Sequence, residues 1–346
     1  GLMSHNASEA TEFEARKIDT EARGLAKELA SIMTSLNSTY GKGKFTYKGE
    51  ALPLGELSKI IANSRDPEEL QTVWEGWRTV APPMKADYAK MVTIINEGSK
   101  ELGYADTGVL WKAGYDMPAD DFTVEADRLW SQVKPLYDEL HCHVRAKLNE
   151  EYGDKVVPLD QPIRADLLGN MWAQSWGNIY DIVKPENDAP TVDITELLAK
   201  AQYDEIKMVK TGESFFTSLG FDPLPETFWE RSLFVKPKDR EVVCHASAWD
   251  LGYDDYRIKM CIKKDGEDFS TIHHELGHNF YQRAYRDQSI YYRTGANDGF
   301  HEAIGDMIAL SITPEYLVEI GLLSPDEVPG SDADLALLMR QALDKV

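Results

Sequence analysis

Apolar residues recur at three- and four-residue intervals over much of the chain. Val133, Leu136, Leu140, Val144 and Leu148 draw one apolar stripe along a predicted helix. Ile194, Leu197, Leu198, Ala201 and Ile206 draw a second. Turn-forming clusters, Gly41-Lys42-Gly43 and Lys184-Pro185-Glu186-Asn187-Asp188-Ala189-Pro190, break the pattern between such segments. The period changes in one place. Glu241-Val242-Val243-Cys244-His245-Ala246 is short and rich in β-formers, and Tyr256-Arg257-Ile258-Lys259-Met260-Cys261-Ile262 alternates polar and apolar residues. The stretch from Trp249 to Asp255 holds Gly252 and three aspartates, so the two runs read as a hairpin with a long loop. The expectation is a mostly α-helical fold with one small β-hairpin. No internal repeat, low-complexity tract or long flexible linker interrupts it, and residues 1–346 read as a single domain.

Composition narrows the class. A chain of 346 residues with 42% hydrophobic content can bury a large core. No apolar run approaches the roughly 18 residues that a membrane span needs. Gly1-Leu2-Met3-Ser4-His5 has neither a basic lead-in nor an apolar core, so the opening residues do not read as a secretory signal. The net charge is −22, from 59 acidic and 37 basic residues, and no basic stripe offsets it; a nucleic-acid partner is excluded. Three cysteines are too few for a disulfide framework. The hairpin would bring Cys244 and Cys261 within reach of each other, as a disulfide in an exported protein or as two inert thiols otherwise.

The chemistry concentrates at residues 271–306. His274-Glu275-Leu276-Gly277-His278 places two histidines four apart, on one helical face one turn from each other. Two imidazoles so placed can share a zinc ion. Glu275, rotated off that face, is placed to act as general base toward the attacking water. A hydrolytic zinc site needs a third protein ligand. Asn297-Asp298-Gly299-Phe300-His301-Glu302-Ala303-Ile304-Gly305-Asp306 reads as the start of a second helix, with Glu302 and Asp306 one turn apart on one face. Glu302 suits the ligand role, and Asp306 suits a carboxylate holding the far nitrogen of a ligand histidine. Asp268 or Ser270 is the expected cap of the first helix, after the break at Gly266. Of only eight histidines, His273, His274, His278 and His301 fall in these segments and His245 in the hairpin, which argues against a chance motif. His273 and His301 point away from the metal side, toward packing. His141, Cys142 and His143 are adjacent in sequence and cannot face one ion from a helix.

These residues resemble the angiotensin-converting enzyme family of peptidyl-dipeptidases. The resemblance rests on His273-His274-Glu275-Leu276-Gly277-His278, on residues 295–306, and on Cys-His-Ala-Ser-Ala-Trp-Asp at 244–250. Gly-Asn-Met-Trp-Ala-Gln-Ser-Trp at 169–176 and Trp-Glu-Gly-Trp-Arg at 74–78 extend it, in the family's order, over most of the chain. It implies a helical, zincin-like metallopeptidase with a deep channel and a small β-hairpin beside the zinc. His274, His278 and Glu302 then match the zinc ligands, Glu275 the catalytic base, and Asp306 a carboxylate behind a ligand. His245 matches a residue contacting the substrate carbonyl, Ala246 one pairing with the peptide backbone, and Gln174 part of the pocket for the substrate's C-terminal carboxylate. Arg78 and Tyr115 match positions near chloride sites, and Cys244 with Cys261 a family disulfide. Gln174, with Gly305-Asp306, favours the branch that releases C-terminal dipeptides from oligopeptides over a carboxypeptidase releasing single residues. The resemblance also implies an extracellular or periplasmic location. It further implies that the chain starts after the family's N-terminal lid helices and stops inside a helix. The oxyanion-stabilising His and Tyr, and the Lys and Tyr that hold the substrate carboxylate, are expected beyond it. A catalytically incomplete zinc- or peptide-binding fragment is therefore the remaining alternative.

Overall fold

The computed structural model describes residues 22–185, 192–240, 242–329 and 334–344. They fall into two compact units: the first holds the chain to Asp188 together with Asp334–Val346, and the second Ala189–Ala333. The expected turn at 184–190 and the start of the expected strand at Glu241 lie partly outside the described residues.

The first unit runs through α1 (Ala22–Gly41), a hairpin of β1 (Lys44–Tyr47) and β2 (Glu50–Pro53), α2 (Leu54–Asn63), α3 (Pro67–Arg78), α4 (Lys85–Glu101), α5 (Thr107–Lys112), α6 (Ala119–Tyr152) and the single turn α7 (Tyr180–Val183). The β1–β2 hairpin escapes the periodicity reading because each strand has four residues. Its two-residue turn, Lys48-Gly49, has positive φ at both positions (50° and 87°), the backbone that matches the twist of a tight hairpin. The core gathers Leu57 and Ile61 of α2, Leu70, Val73 and Trp77 of α3, and Leu140, Val144 and Leu148 of α6. The predicted stripe on α6 is thus buried only in its second half. Val133 and Leu136 are 55% and 68% exposed. Periodicity marks which face is apolar, not how far along the helix something covers it.

The second unit contains α8 (Ile194–Lys200), α9 (Glu205–Ser218), α10 (Glu226–Arg231), β3 (Ser247–Asp250), β4 (Tyr256–Lys259), α11 (Gly266–Tyr285), α12 (Asp298–Leu310) and α13 (Pro314–Glu319). The helix expected over 194–206 is two helices. Asp204 accepts from the Lys207 N–H and caps a new helix, so Ile206 belongs to α9. The central helix is α11. Phe269, Ile272, Leu276 and Phe280 recur along its core face, and Phe280 stacks on Phe216 of α9 with ring centroids 4.0 Å apart. After this unit, α14 (Asp334–Asp344) returns to the first, where Leu343 is buried in its core and accepts from the Trp176 N–H.

The expected hairpin is present with a shifted first strand. Residues 242–246 are irregular, and pairing starts at Ser247↔Lys259 and ends at Asp250↔Tyr256. The turn fixes this register: Gly252, Tyr253 and Asp254 all have positive φ, and the Asp250 carboxylate accepts from the Gly252 N–H. The other edge of β4 is taken by Leu233, which donates to Ile258 O and accepts from the Met260 N–H. Cys244 and Cys261 are joined as a disulfide just beyond the paired residues, with Cα atoms 5.1 Å apart.

The cap of α11 is Asp265, whose carboxylate accepts from the Asp268 N–H, rather than Asp268 or Ser270. Asp268 itself accepts from the Lys263 N–H at 2.6 Å. Burial pushes the Asp268 carboxyl up to about 6, against the Lys263 bond that favours its charge. An unfolded Asp titrates near about 3.9. The folded chain therefore binds this proton more tightly, and the contribution, complete below about pH 4, is lost as pH rises through about 6. Asp268→Asn keeps an acceptor for Lys263 N–H. Urea titrations should show it more stable than the parent at about pH 7.5, by on the order of 1 kcal/mol, with the gap closed below about pH 4.

Candidate metal centre

The site is built where α11 and α12 touch most closely. Gly277 of α11 faces Gly305 of α12: a Cβ on Gly277 would stand 3.1 Å from Gly305 Cα. A Cβ on Gly305 would stand 2.8 Å from the His274 ring. Without side chains at these two positions, the backbones approach until Glu302, nearly one turn before Gly305, reaches the His274–His278 pair. Sequence reading missed this role, although two glycines at helical spacing, Gly277 three residues after His274 and Gly305 three residues after Glu302, are its signal.

Three side chains converge. His274 Nε2 lies 3.0 Å from His278 Nε2 and 3.3 Å from Glu302 Oε2, and His278 Nε2 lies 3.8 Å from Glu302 Oε1. Donors held at zinc distances by one tetrahedral ion would stand about 3.3–3.5 Å apart, so small shifts of these side chains would bring the set to that spacing. This is the cluster among the described residues that can hold a metal ion. Behind it, Asp306 Oδ1 lies 3.2 Å from His274 Nδ1, which fixes the ring and leaves Nε2 for the metal. Burial opposes a charge on His274, but the hydrogen bond to Glu302 and the charges of Glu275, Glu302 and Asp306 outweigh it, and its pKa is raised. Carboxylates around two imidazoles thus make a place that favours a cation.

Glu275 is 6% exposed, and its Oε2 has no hydrogen-bond partner among the described residues. Burial pushes its carboxyl up to about 7; His274 and Lys259 pull it down and Glu302 pushes it further up. A buried, unpartnered carboxyl oxygen is costly, and such atoms concentrate where chemistry needs them.

The neighbouring histidines have packing roles. His273 is fully buried, donates from Nδ1 to Phe269 O at 2.8 Å, and accepts at Nε2 from the Tyr316 hydroxyl at 2.9 Å. Burial lowers its pKa to about 4, so it is neutral. His301 meets the Tyr285 hydroxyl through Nε2 and packs on the Tyr281 and His278 rings. His143 donates to Val183 O and His141 accepts from Arg145, with Cys142 exposed, so this trio shares no ion.

The remaining predicted residues lie in two places. His245 and Ala246 sit on the irregular segment between Cys244 and β3. His245 is exposed and donates from Nδ1 to Ala246 O, and Ala246 packs against the second unit's core. Gln174, Arg78 and Tyr115 belong to the first unit. Gln174 is exposed and follows Ala173, whose φ of 53° is left-handed. Arg78 stacks over Trp74 with its guanidinium carbon 3.7 Å from the ring centroid, and donates to Met171 O. Tyr115 packs on Phe122, ring centroids 4.3 Å apart.

Residues 9–346 match the family model described as angiotensin-converting enzyme. The chain belongs to the angiotensin-converting enzyme family. It is 43% identical to the angiotensin-converting enzyme of Theromyzon tessulatum over 329 residues, 92% of this chain and 53% of that protein. It is 43% identical to that of Bos taurus over 338 residues, 95% of this chain and 25% of that protein. It is 40% identical to that of Haematobia irritans exigua over 328 residues, with 92% and 53% covered. The chain thus spans about half the length of the first and last of these relatives and a quarter of the bovine one.

Gly305→Ala places a methyl group inside contact distance of the His274 ring. Its zinc affinity, measured by competition with a chelator, should fall about 10- to 100-fold, as for loss of a group that orients a ligand. An unchanged affinity would mean that this helix contact does not set the donor spacing.

Proposed function

We propose that this chain is the zinc-dependent core of a peptidyl-dipeptidase, which removes C-terminal dipeptides from oligopeptides with a free C-terminus. One observation carries the reading: a buried carboxylate with an unpartnered oxygen, Glu275, stands beside a three-donor cluster of two histidines and a glutamate. Family membership agrees with it.

His274, His278 and Glu302 would hold the zinc, and Asp306 orients His274. When bound, zinc supplies a Lewis acid that polarises the scissile carbonyl and makes water more acidic. Glu275 accepts the proton of the attacking water and passes it to the leaving amine. Burial raises the Glu275 carboxyl, which strengthens it as a proton acceptor. His245 contacts the scissile carbonyl and Ala246 pairs with the peptide backbone, on a segment tethered by the Cys244–Cys261 disulfide. Gln174 binds the substrate's terminal carboxylate. The disulfide supports an extracellular or periplasmic location. No described helix is long and apolar enough to cross a membrane.

The test is release of a dipeptide from an N-blocked tripeptide, before and after chelation and zinc add-back. Zinc-dependent dipeptide release is expected. Glu275→Gln should retain zinc and lose about 10²–10⁴ in kcat. Release of single residues would favour a carboxypeptidase. Stoichiometric zinc without turnover would favour a zinc- and peptide-binding fragment.

The same reading includes chloride at Arg78, with Tyr115 nearby in the family pattern. Among the described residues no carboxylate pairs with Arg78, burial lowers its pKa, and the buried Trp74 Nε1 beside it has no acceptor. A partly buried cation with no paired carboxylate, beside an N–H without an acceptor, suits a small anion. Chloride added to a nitrate- and phosphate-free buffer should raise the thermal unfolding midpoint of the parent chain, and Arg78→Gln should abolish the rise.

A further inference from the structure

Lys259 and the general base Glu275 feel each other's charge. Asn279 of α11 directs its amide at Trp249 O and Arg257 O, each 3.4 Å away, the carbonyls of one cross-strand pair of the hairpin. One helical turn earlier on the same face is Glu275, and one pair further along the same face of the hairpin is Ser247↔Lys259. The two progressions run together, and Lys259 and Glu275 interact electrostatically, without a hydrogen bond or ion pair between them. Lys259 is half-buried, on the strand face opposite the core residues Tyr256 and Ile258. Burial lowers its pKa, and Glu275 is the charge that raises it.

An ammonium partly withdrawn from water and without a bonded carboxylate is costly. In a chain with 59 acidic residues, a local carboxylate to neutralise it is readily supplied, as Glu69 is for Lys48 and Asp255 for Arg257. Among the described residues none is bonded to Lys259. The group keeps its donors for something that arrives. Its cross-strand partner Ser247 directly follows Ala246, so the charge lies next to the segment assigned above to the peptide backbone. We propose that Lys259 is a specificity-determining residue that binds an acidic side chain of the peptide within a residue or two of the scissile bond. The inference rests on the peptidase reading. An ammonium there discriminates a glutamate from a glutamine of equal shape, because only the former supplies a full counter-charge.

The test uses the whole zinc-loaded chain and pairs of N-blocked peptides differing only by Glu or Gln on either side of the cleaved bond. The kcat/KM ratio, Glu over Gln, is measured for the parent, Lys259→Met and Lys259→Arg, with zinc content and circular dichroism reporting folding. For one position the parent ratio should exceed that of Lys259→Met about tenfold, with Lys259→Arg recovering much of it. A ratio that Lys259→Met leaves unchanged at every position overturns the inference. So does an equal loss for both peptides, which would make Lys259 a carbonyl contact or a counter-charge to Glu275. A parent that cleaves neither peptide counts against the peptidase reading instead. The same pairs are then compared as ligands by calorimetry, where a Lys259-dependent preference for Glu supports the inference and its absence overturns it.

Discussion

The close contact of α11 with α12 is the constraint on which the centre depends. Two helices carrying ordinary side chains pack about 8–10 Å apart. Gly277 against Gly305 removes the atoms that would hold them off, and the His274 ring fills the space over Gly305. The consequence is chemical. Glu302 is on a different helix from the histidines, yet its oxygens stand 3.3 and 3.8 Å from their nitrogens. The candidate metal-binding set is therefore a property of a helix pair, with two donors one turn apart on α11 and a third on α12.

The second consequence is burial. α11 is covered on more than one side, by α9, by α12 and by the hairpin. A helix so enclosed would ordinarily be apolar all round. Instead it buries His273, Glu275, His278 and Asn279. His273 is satisfied at both nitrogens by neighbours and is structural. Glu275 is not satisfied, and its raised pKa follows from that exclusion of water. The difference between these two positions, two residues apart, separates a polar group that completes the core from one whose buried oxygen the described residues leave without a partner.

The hairpin frames the same helix from its other side. Its register comes from a turn with three consecutive positive φ values, and the disulfide ties down the residues ahead of it. The segment carrying His245 and Ala246 is thus held by a covalent bond rather than by a strand ladder. A reading based on β-propensity placed a strand there because Val242 and Val243 favour one. The other edge of β4 is already occupied by Leu233, and the turn starts pairing at Ser247.

The sequence by itself determined the donors and their helices. His274 and His278 at four-residue spacing, Glu275 between them, and Glu302 with Asp306 on a following helix are local facts, set by the 3.6-residue period. It also determined the family, because several motifs keep one order along the chain. The helical class followed from apolar periodicity, and a long apolar stripe survives as a helix even where, at Val133 and Leu136, nothing buries it. What only the tertiary structure decided are distances between elements and the solvation of each group. The split of one expected helix at Asp204, the β1–β2 hairpin of four-residue strands, the roles of Gly277 and Gly305, and the electrostatic coupling of Lys259 to Glu275 belong here. Each depends on which surfaces meet, and a periodic pattern records a residue's own face but not what lies across from it.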